Sequence, residues 1–316
     1  MKISIITATL NNKAGLMRAI ESVRSQTYKN IEHIVVDGGS TDRSVETLKN
    51  LQFTIYNLLF ISEADTGIYD AINKGIRFAT GDVIGLLHSD DFYKDEFVVE
   101  KVVEAFALSA KSIEQSAESK APFVSAQGDE VDAVYSDLVY VMEKSKVKSQ
   151  KSKNEYIDHS GFKIDPPRRI EHSIIRYWKA HKIKKDILTT HYLPAGRQGS
   201  PLTTQALLNG WMPPHPTLFV KKEIFDKYGL YRTDMKIAAD YEMVLRLFYK
   251  YKISSNYLPL TTYSMTIGGA SNKSLSNIII KSKEDYRSMK LHSIPFPLKT
   301  LLIKNLSKLQ QFFYKN

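Results

Sequence analysis

The stretch GDVIGLLHSDDFY, residues 81–93, constrains this chain more than any other. Val83 to Leu87 is an apolar run of strand length, and it ends abruptly in His88-Ser89-Asp90-Asp91. Two adjacent carboxylates at the end of a buried strand repel each other and resist desolvation. A cation between them relieves both costs. Hard divalent ions such as Mg²⁺ or Mn²⁺ take carboxylate oxygens together with the oxygens of a substrate phosphate. The same pair also suits a turn or a helix cap, so its spacing leaves both readings open.

The residues before it repeat one pattern. Ile3 to Ala8 reads as a strand by its β-branched, apolar content, with Thr7, Thr9 and Asn11 where its carboxyl end opens into a loop. Leu16, Ile20 and Val23 recur at helical spacing and predict an amphipathic helix over residues 14–25. A second strand, Ile31 to Val36, closes in Asp37-Gly38-Gly39-Ser40-Thr41-Asp42, followed by a helix over 42–50. A third strand is expected over 53–62, ending in Glu63-Ala64-Asp65. In GIYDAINKGIRFATG, Ile68, Ala71, Ile72 and Ile76 share a helical face, and Asp70, Asn73, Lys74 and Arg77 fall to the other side. After the central strand a helix follows from about 95 to 107.

Alternating strands and helices argue for a doubly wound, mostly parallel α/β sheet. Acidic residues stand at three successive strand ends: Asp37, Asp65 and the Asp90/Asp91 pair. In such sheets ligands collect outside the carboxyl ends of the strands, so the three outline a site. The dinucleotide pattern G-x-G-x-x-G is absent from the loop after the second strand.

Charge separates the chain into unlike parts. Residues 1–100 hold 10 basic and 14 acidic side chains, residues 144–185 hold 13 and 4, and residues 273–316 hold 9 and 2. The front is thus acidic although its motifs look built for an anionic ligand, which fits a metal-bridged phosphate better than a lysine-lined one. A nucleic-acid footprint would put a basic stripe and stacking aromatics on one surface, and no nucleic-acid partner is expected. With no cysteine, disulfides and thiolate metal sites are excluded. The opening MKISIITATLNN reads as a first strand and not a signal peptide, and no run of 18 apolar residues exists.

Periodicity is lost over 107–130 and 186–204, which read as insertions, and 144–185 is read as a lysine-rich loop. Val131 to Val141 returns to strand patterning. Leu218 to Val220 is a short strand, Lys222 to Lys227 begins a helix, and another helix runs from Ala238-Ala239-Asp240 to about Lys250. Asp240 suits a cap of that helix, or a carboxylate held at the cleft to take a proton from a hydroxyl. From Leu298 onward leucines and phenylalanines recur at helical spacing among lysines, which suits packing on the same domain or lying in an anionic membrane interface.

Five segments in this order resemble the family-2 glycosyltransferases of the GT-A fold: TATLNN, SQTYKNIEHIVVDGGSTD, SEADTGIYDAINKG with HSDD, GWMPPHPTLFVKKEIFDKYGLY, and AADYEMVLRL. The resemblance covers residues 1–106, 131–142 and 205–313. It implies a GT-A domain over 1–270, with a nucleotide-binding half at 1–106 and an acceptor half at 205–270, followed by a basic helical region at 271–316. It places Thr7, Ala8, Thr9, Asn11, Asp37 and Asp65 around the nucleotide base and ribose, and Lys74 toward the diphosphate. Asp91 is implied as the direct ligand of a divalent metal (Mn²⁺ or Mg²⁺), with Asp90 nearer the ribose or sharing the ion. Asp240 matches the catalytic base, and His215 and Trp211 fall in the acceptor-side segment. Where many relatives carry Asp-Asp-Gly-Ser this chain has Asp37-Gly38-Gly39-Ser40; Ala239 replaces an acidic residue and Thr266 an arginine.

The implied reaction is inverting transfer of a sugar from a nucleotide-diphosphate donor to a hydroxyl of a glycan or lipid-linked acceptor, in cell-surface polysaccharide synthesis. The expected place is the cytoplasm, with peripheral contact at the inner face of the membrane through 298–316. Two rivals stand beside it. A sugar-1-phosphate nucleotidyltransferase would need a Gly-rich, Arg/Lys-bearing loop after the first strand, which TATLNNKAG does not match. A non-catalytic sugar-nucleotide or nucleic-acid binding module would use the basic stretch at 144–185.

Overall fold

The computed structural model describes residues 1–107, 131–143, 156–157, 163–164, 172–178, 204–266 and 275–313. The expected insertions at 107–130 and 186–204 lie almost wholly outside them.

The front of the chain folds as its periodicities require. Strand β1 (Ile3–Thr9), helix α1 (Lys13–Arg24), strand β2 (Ile31–Asp37), helix α2 (Ser44–Gln52), strand β3 (Leu58–Ser62), helix α3 (Ile68–Phe78) and strand β4 (Val83–Leu86) follow one another. The four strands pair in parallel in the order β3-β2-β1-β4. Alternation along β1 assigns its two faces. Ile3 and Ile5 join Ala19 and Val23 of α1, whereas Ile6 and Ala8 pack against Ala71, Ile72 and Ile76 of α3. Helices on both faces are what a parallel sheet needs to bury its apolar strands.

Beyond β4 the sheet reverses direction. Strand β5 (Phe92–Tyr93) and a helix α4 over residues 98–107 follow, then strand β6 (Ala133–Glu143). Two-residue strands β7 (Tyr156–Ile157) and β8 (Lys163–Ile164) pair with each other, and β9 (His172–Trp178) lies antiparallel beside β6. After helix α5 (Thr204–Leu208), strand β10 (Phe219–Lys221) runs antiparallel between β4 and β6. Helices α6 (Lys222–Tyr228) and α7 (Ala239–Val244) lead to strand β11 (Ser255–Thr266), which pairs with β6 and β5. Helix α7 continues as a π-type turn over Leu245–Lys250. Helices α8 (Leu275–Leu291) and α9 (Pro297–Phe313) end the described chain.

Two expectations are corrected. Residues 53–57 are not strand: Phe53 and Tyr56 are almost fully exposed, and β3 finds a partner in β2 only from Leu58, opposite His33. Residues 144–185 are not loop throughout, because β9 supplies a strand to the main sheet. Residues 271–316, whose packing the sequence left open, contribute to the core. Met289 of α8 and Ile294 are buried in the same cluster as Tyr241 and Val244 of α7.

Candidate functional site

The carboxyl ends of β1, β2, β3 and β4 open on one edge of the sheet, and most of the expected site residues stand there. Thr9 ends β1 and is paired in register with Asp37, the last residue of β2, which is in turn paired with Ser62 of β3. Asp37 is fully buried, and its Oδ2 accepts from the backbone N–H groups of Gly39 and Ser40 and from the Ser62 hydroxyl. Its Oδ1 has no partner, nor does the buried hydroxyl of Thr9. Buried polar atoms are ordinarily satisfied. A hydroxyl and a carboxylate oxygen left open on paired strand ends therefore suit a ligand that both donates and accepts, as a nucleotide base does.

Glycine makes room at this edge. A Cβ on Gly38 would stand 2.4 Å from Oδ2 of Asp65, so glycine here leaves room for the Asp65 carboxylate to lie against the β2 loop. Asp65 accepts from the N–H of Gly67, which starts α3. Asn11, exposed and at positive φ, accepts from the N–H of Thr41 and ties the β1 loop to the β2 loop. Two other expected contacts are corrected. The Thr7 hydroxyl is fully buried between the Leu87 carbonyl (2.6 Å) and His33 Nε2 (2.8 Å), so it fastens strands and faces no ligand. The Lys74 ammonium is held by Glu63 (3.0 Å), the Ala64 carbonyl (2.9 Å) and Asp70 (3.6 Å), and it clamps the β3–α3 loop.

At the end of β4 the two carboxylates part. The Asp90 side chain is exposed on the cleft, 2.8 Å from Asn12 Nδ2 and 3.8 Å from the Arg18 guanidinium. Asp91 is buried; it accepts from the Tyr263 hydroxyl and the Thr266 N–H, each at 3.0 Å. Burial pushes its carboxyl up to about 7, against the pull of those two bonds. Asp91, expected as the direct metal ligand, is thus turned inward by β11, where it anchors the loop, and Asp90 is the carboxylate left open. Thr266 also donates its hydroxyl to the Asp90 carbonyl at 2.6 Å. Among the described residues no group of three or more His, Cys, Asp or Glu side chains is assembled as a metal cage. A single open carboxylate does fit an ion that takes its remaining ligands from substrate phosphates and water.

Across the cleft stands Asp240, half-buried in the first turn of α7. It is not the helix cap, because Ala238 holds that position. The loop just before the helix is held from α8: Glu284 accepts from the backbone N–H groups of Lys236, Ile237 and Ala238, at 2.8, 2.9 and 2.9 Å. Asp240 Oδ1 accepts from the N–H of Tyr241 and lies 3.5 Å from the Tyr69 hydroxyl of α3. Asn73 of α3 exchanges two hydrogen bonds with the backbone of Tyr231, which fixes the loop before α7 against α3. His215 is buried with Nε2 2.8 Å from the Tyr231 hydroxyl. Trp211 is half-buried, edge-on to Tyr135.

One residue that the motif reading passed over links the two sides. His88 has its Nδ1 enclosed and without a hydrogen-bond partner. Burial and the neighbouring His215 lower its pKa to about 4, opposed by the fields of Asp240 and Asp90. It is therefore neutral at physiological pH, between the outward carboxylate of β4 and the carboxylate of α7. Its place directly after the β4 run was visible in HSDD; its nearness to α7 was not.

Comparison with known proteins bears on the fold and on the front of the chain. Residues 4–115 match the model of glycosyl transferase family 2. Over 108 residues the chain is 44% identical to the uncharacterized glycosyltransferase Rv1514c of Mycobacterium tuberculosis, a match covering 33% of this chain and 40% of that one. Among solved structures, S. aureus TarS 1-349 in complex with UDP-GlcNAc superposes with a TM-score of 0.56 at 14% identity, over 93% of this chain and 66% of that one. The mannosyltransferase PcManGT of Pyrobaculum calidifontis, in complex with GDP-Man and Mn²⁺, superposes at 0.53 and 15% identity, over 96% and 68%. These likenesses give the sheet its fold class, GT-A, and the likeness to glycosyl transferase family 2 spans the first third of this chain.

Proposed function

We propose that the chain transfers a sugar from a nucleoside-diphosphate donor to an acceptor hydroxyl with inversion, and that Asp240 is the base. The observation that carries this is the pair of carboxylates left for chemistry: Asp90, open after β4 and 2.8 Å from Asn12 Nδ2, and Asp240, half-buried in the first turn of α7 and 3.5 Å from the Tyr69 hydroxyl of α3. The base and ribose of the donor fill the edge formed by Thr9, Asp37 and Asp65, in the half of the domain at 1–106. Its diphosphate lies toward Asp90. A divalent ion held there by Asp90 would offset the charge that builds on the leaving diphosphate. Asp240 takes the proton of the acceptor hydroxyl as its oxygen attacks the anomeric carbon from the face opposite the leaving group. The acceptor enters from the half at 205–270, where His215 and Trp211 line the approach; by analogy within the family it is a glycan or a lipid-linked glycan.

The donor complexes of the two structural neighbours support a sugar nucleotide as ligand. The test is transfer from a panel of sugar nucleotides with Mn²⁺, after a thermal-shift screen has picked the donor that stabilises the protein. Asp240→Asn is expected to leave that shift in place and to lower transfer by about a thousandfold or more. Loss of the shift itself in Asp240→Asn, or no turnover with any donor in the native protein, overturns the assignment.

A further inference from the structure

The α8–α9 hairpin carries a surface that the transfer site does not use. Seven of the sixteen large apolar side chains exposed among the described residues belong to it, among them Ile278, Ile279, Phe296, Leu298, Leu302 and Leu306. Leu298, Leu302 and Leu306 recur every fourth residue and so share one face of α9. Beside them an open, apolar groove of about 350 Å³ runs between the helices, lined by Ile278, Ile279, Tyr286 and Leu301. Exposed apolar side chains gathered in this way mark an interaction surface.

The charges on the hairpin identify what it meets. Its two acidic residues are both spent inward: Glu284 caps the loop before α7, and Asp285 is buried against Lys304 of α9 at 2.7 Å. What remains outside is cationic, with Lys283, Lys290 and Lys299 exposed. A second copy of the chain would bring like charges together, and an apolar protein groove would leave them unmatched. Anionic headgroups above acyl chains satisfy both features at once.

We propose that the α8–α9 hairpin lies in the interface of an anionic lipid bilayer, with its isoleucines and leucines among the acyl chains and its lysines at the headgroup phosphates. This surface includes α8 and the turn at Phe296, and is wider than a terminal helix acting by itself. No helix of the described residues is long and apolar enough to cross a membrane, so the contact is with one leaflet.

Flotation of the full chain with vesicles tests it. The protein is expected to float with vesicles of equal parts phosphatidylcholine and phosphatidylglycerol and to stay behind with phosphatidylcholine alone. Lys283→Gln, Lys290→Gln and Lys299→Gln should each weaken partitioning about fivefold. Ile279→Ser combined with Leu298→Ser and Leu302→Ser should weaken it by at least about tenfold. All these side chains are exposed, and unchanged melting curves will certify the fold. Asp240→Asn should float like the native protein, which separates this result from failure of the transfer assignment. Equal flotation with neutral vesicles, native-like flotation of both sets of variants, or a dimer in solution that the serine variants dissolve would overturn the proposal.

Discussion

Asp90 and Asp91 are neighbours in the chain and point to opposite sides of one turn. The first stands open on the cleft beside Asn12 and Arg18, and the second is sealed beneath it by Tyr263 and Thr266. Carboxylate repulsion, which made the pair conspicuous in the sequence, is thereby relieved in part by geometry, with one charge hydrated and the other hydrogen-bonded inside.

Substitution should separate the two. Asp90→Ala is expected to lower metal-supported transfer by about a hundredfold or more while leaving the melting temperature nearly unchanged. Asp91→Ala leaves the Tyr263 hydroxyl and the Thr266 N–H unmatched and should cost about 1–3 kcal/mol of stability. Denaturant titrations beside transfer assays on both variants check this. A larger stability loss in Asp90→Ala would reverse the assignment.

Glu284 is expected to act on the reaction from a distance. Glu284→Ala uncovers three backbone donors before α7, costs about 1–3 kcal/mol, and should lower kcat with little change in the donor KM. Glu284→Gln, which keeps acceptor oxygen at the same place, should recover part of the loss. Steady-state kinetics on the two variants decide it; a change confined to the donor KM would refute it.

The Lys304–Asp285 pair is buried on both sides, and its ammonium stands 3.0 Å from the centroid of the Tyr241 ring. Burial lowers the Lys304 pKa to about 8 against the pull of Asp285. Lys304→Met strands the carboxylate and is expected to cost about 3–5 kcal/mol. Adding Asp285→Leu should restore most of that, because a well-packed apolar pair can replace a buried ionic one. Chemical denaturation of the single and double variants measures it.

Acid should loosen the start of the sheet through Glu32. Burial raises its pKa, but bonds from Lys2, Ser4 and the hydroxyl and N–H of Thr80 outweigh that and hold it at about 2, below the ordinary 4.5. A carboxyl whose folded pKa is depressed stabilises the fold above its unfolded value, and that contribution fades as pH falls toward the folded one. Glu32→Gln should therefore be less stable than the native protein at pH 7, by about 1–3 kcal/mol, with the gap closing between pH 4.5 and 2. Melting curves across that range supply the check.

Local pattern was enough to read the parallel half of the sheet, because each strand and helix there is decided by its own alternation or its own 3.6-residue stripe. Three acidic strand ends could likewise be placed on one rim before any coordinates. What pattern could not supply was orientation. Whether Asp90 or Asp91 turns outward depends on Tyr263 and Thr266, more than 170 residues further on. Phe53 and Tyr56 imitate a strand in composition, yet both side chains stand in solvent and pairing with β2 begins only at Leu58. Lys74 has the charge for a phosphate, but Glu63 and Asp70 are nearer. Asp240 looked fit to cap its helix, but the cap position is Ala238, and the carboxylate that holds the loop before it comes from α8.

The grip of Glu284 on Lys236, Ile237 and Ala238 bears on where this protein can be cut. A boundary drawn at residue 270 looks natural, since the last strand has just ended. A chain shortened there would keep every strand of the sheet and still lose the peg on which the turn before Asp240 hangs. The last two helices thus belong to the reacting centre as a buttress does to a wall.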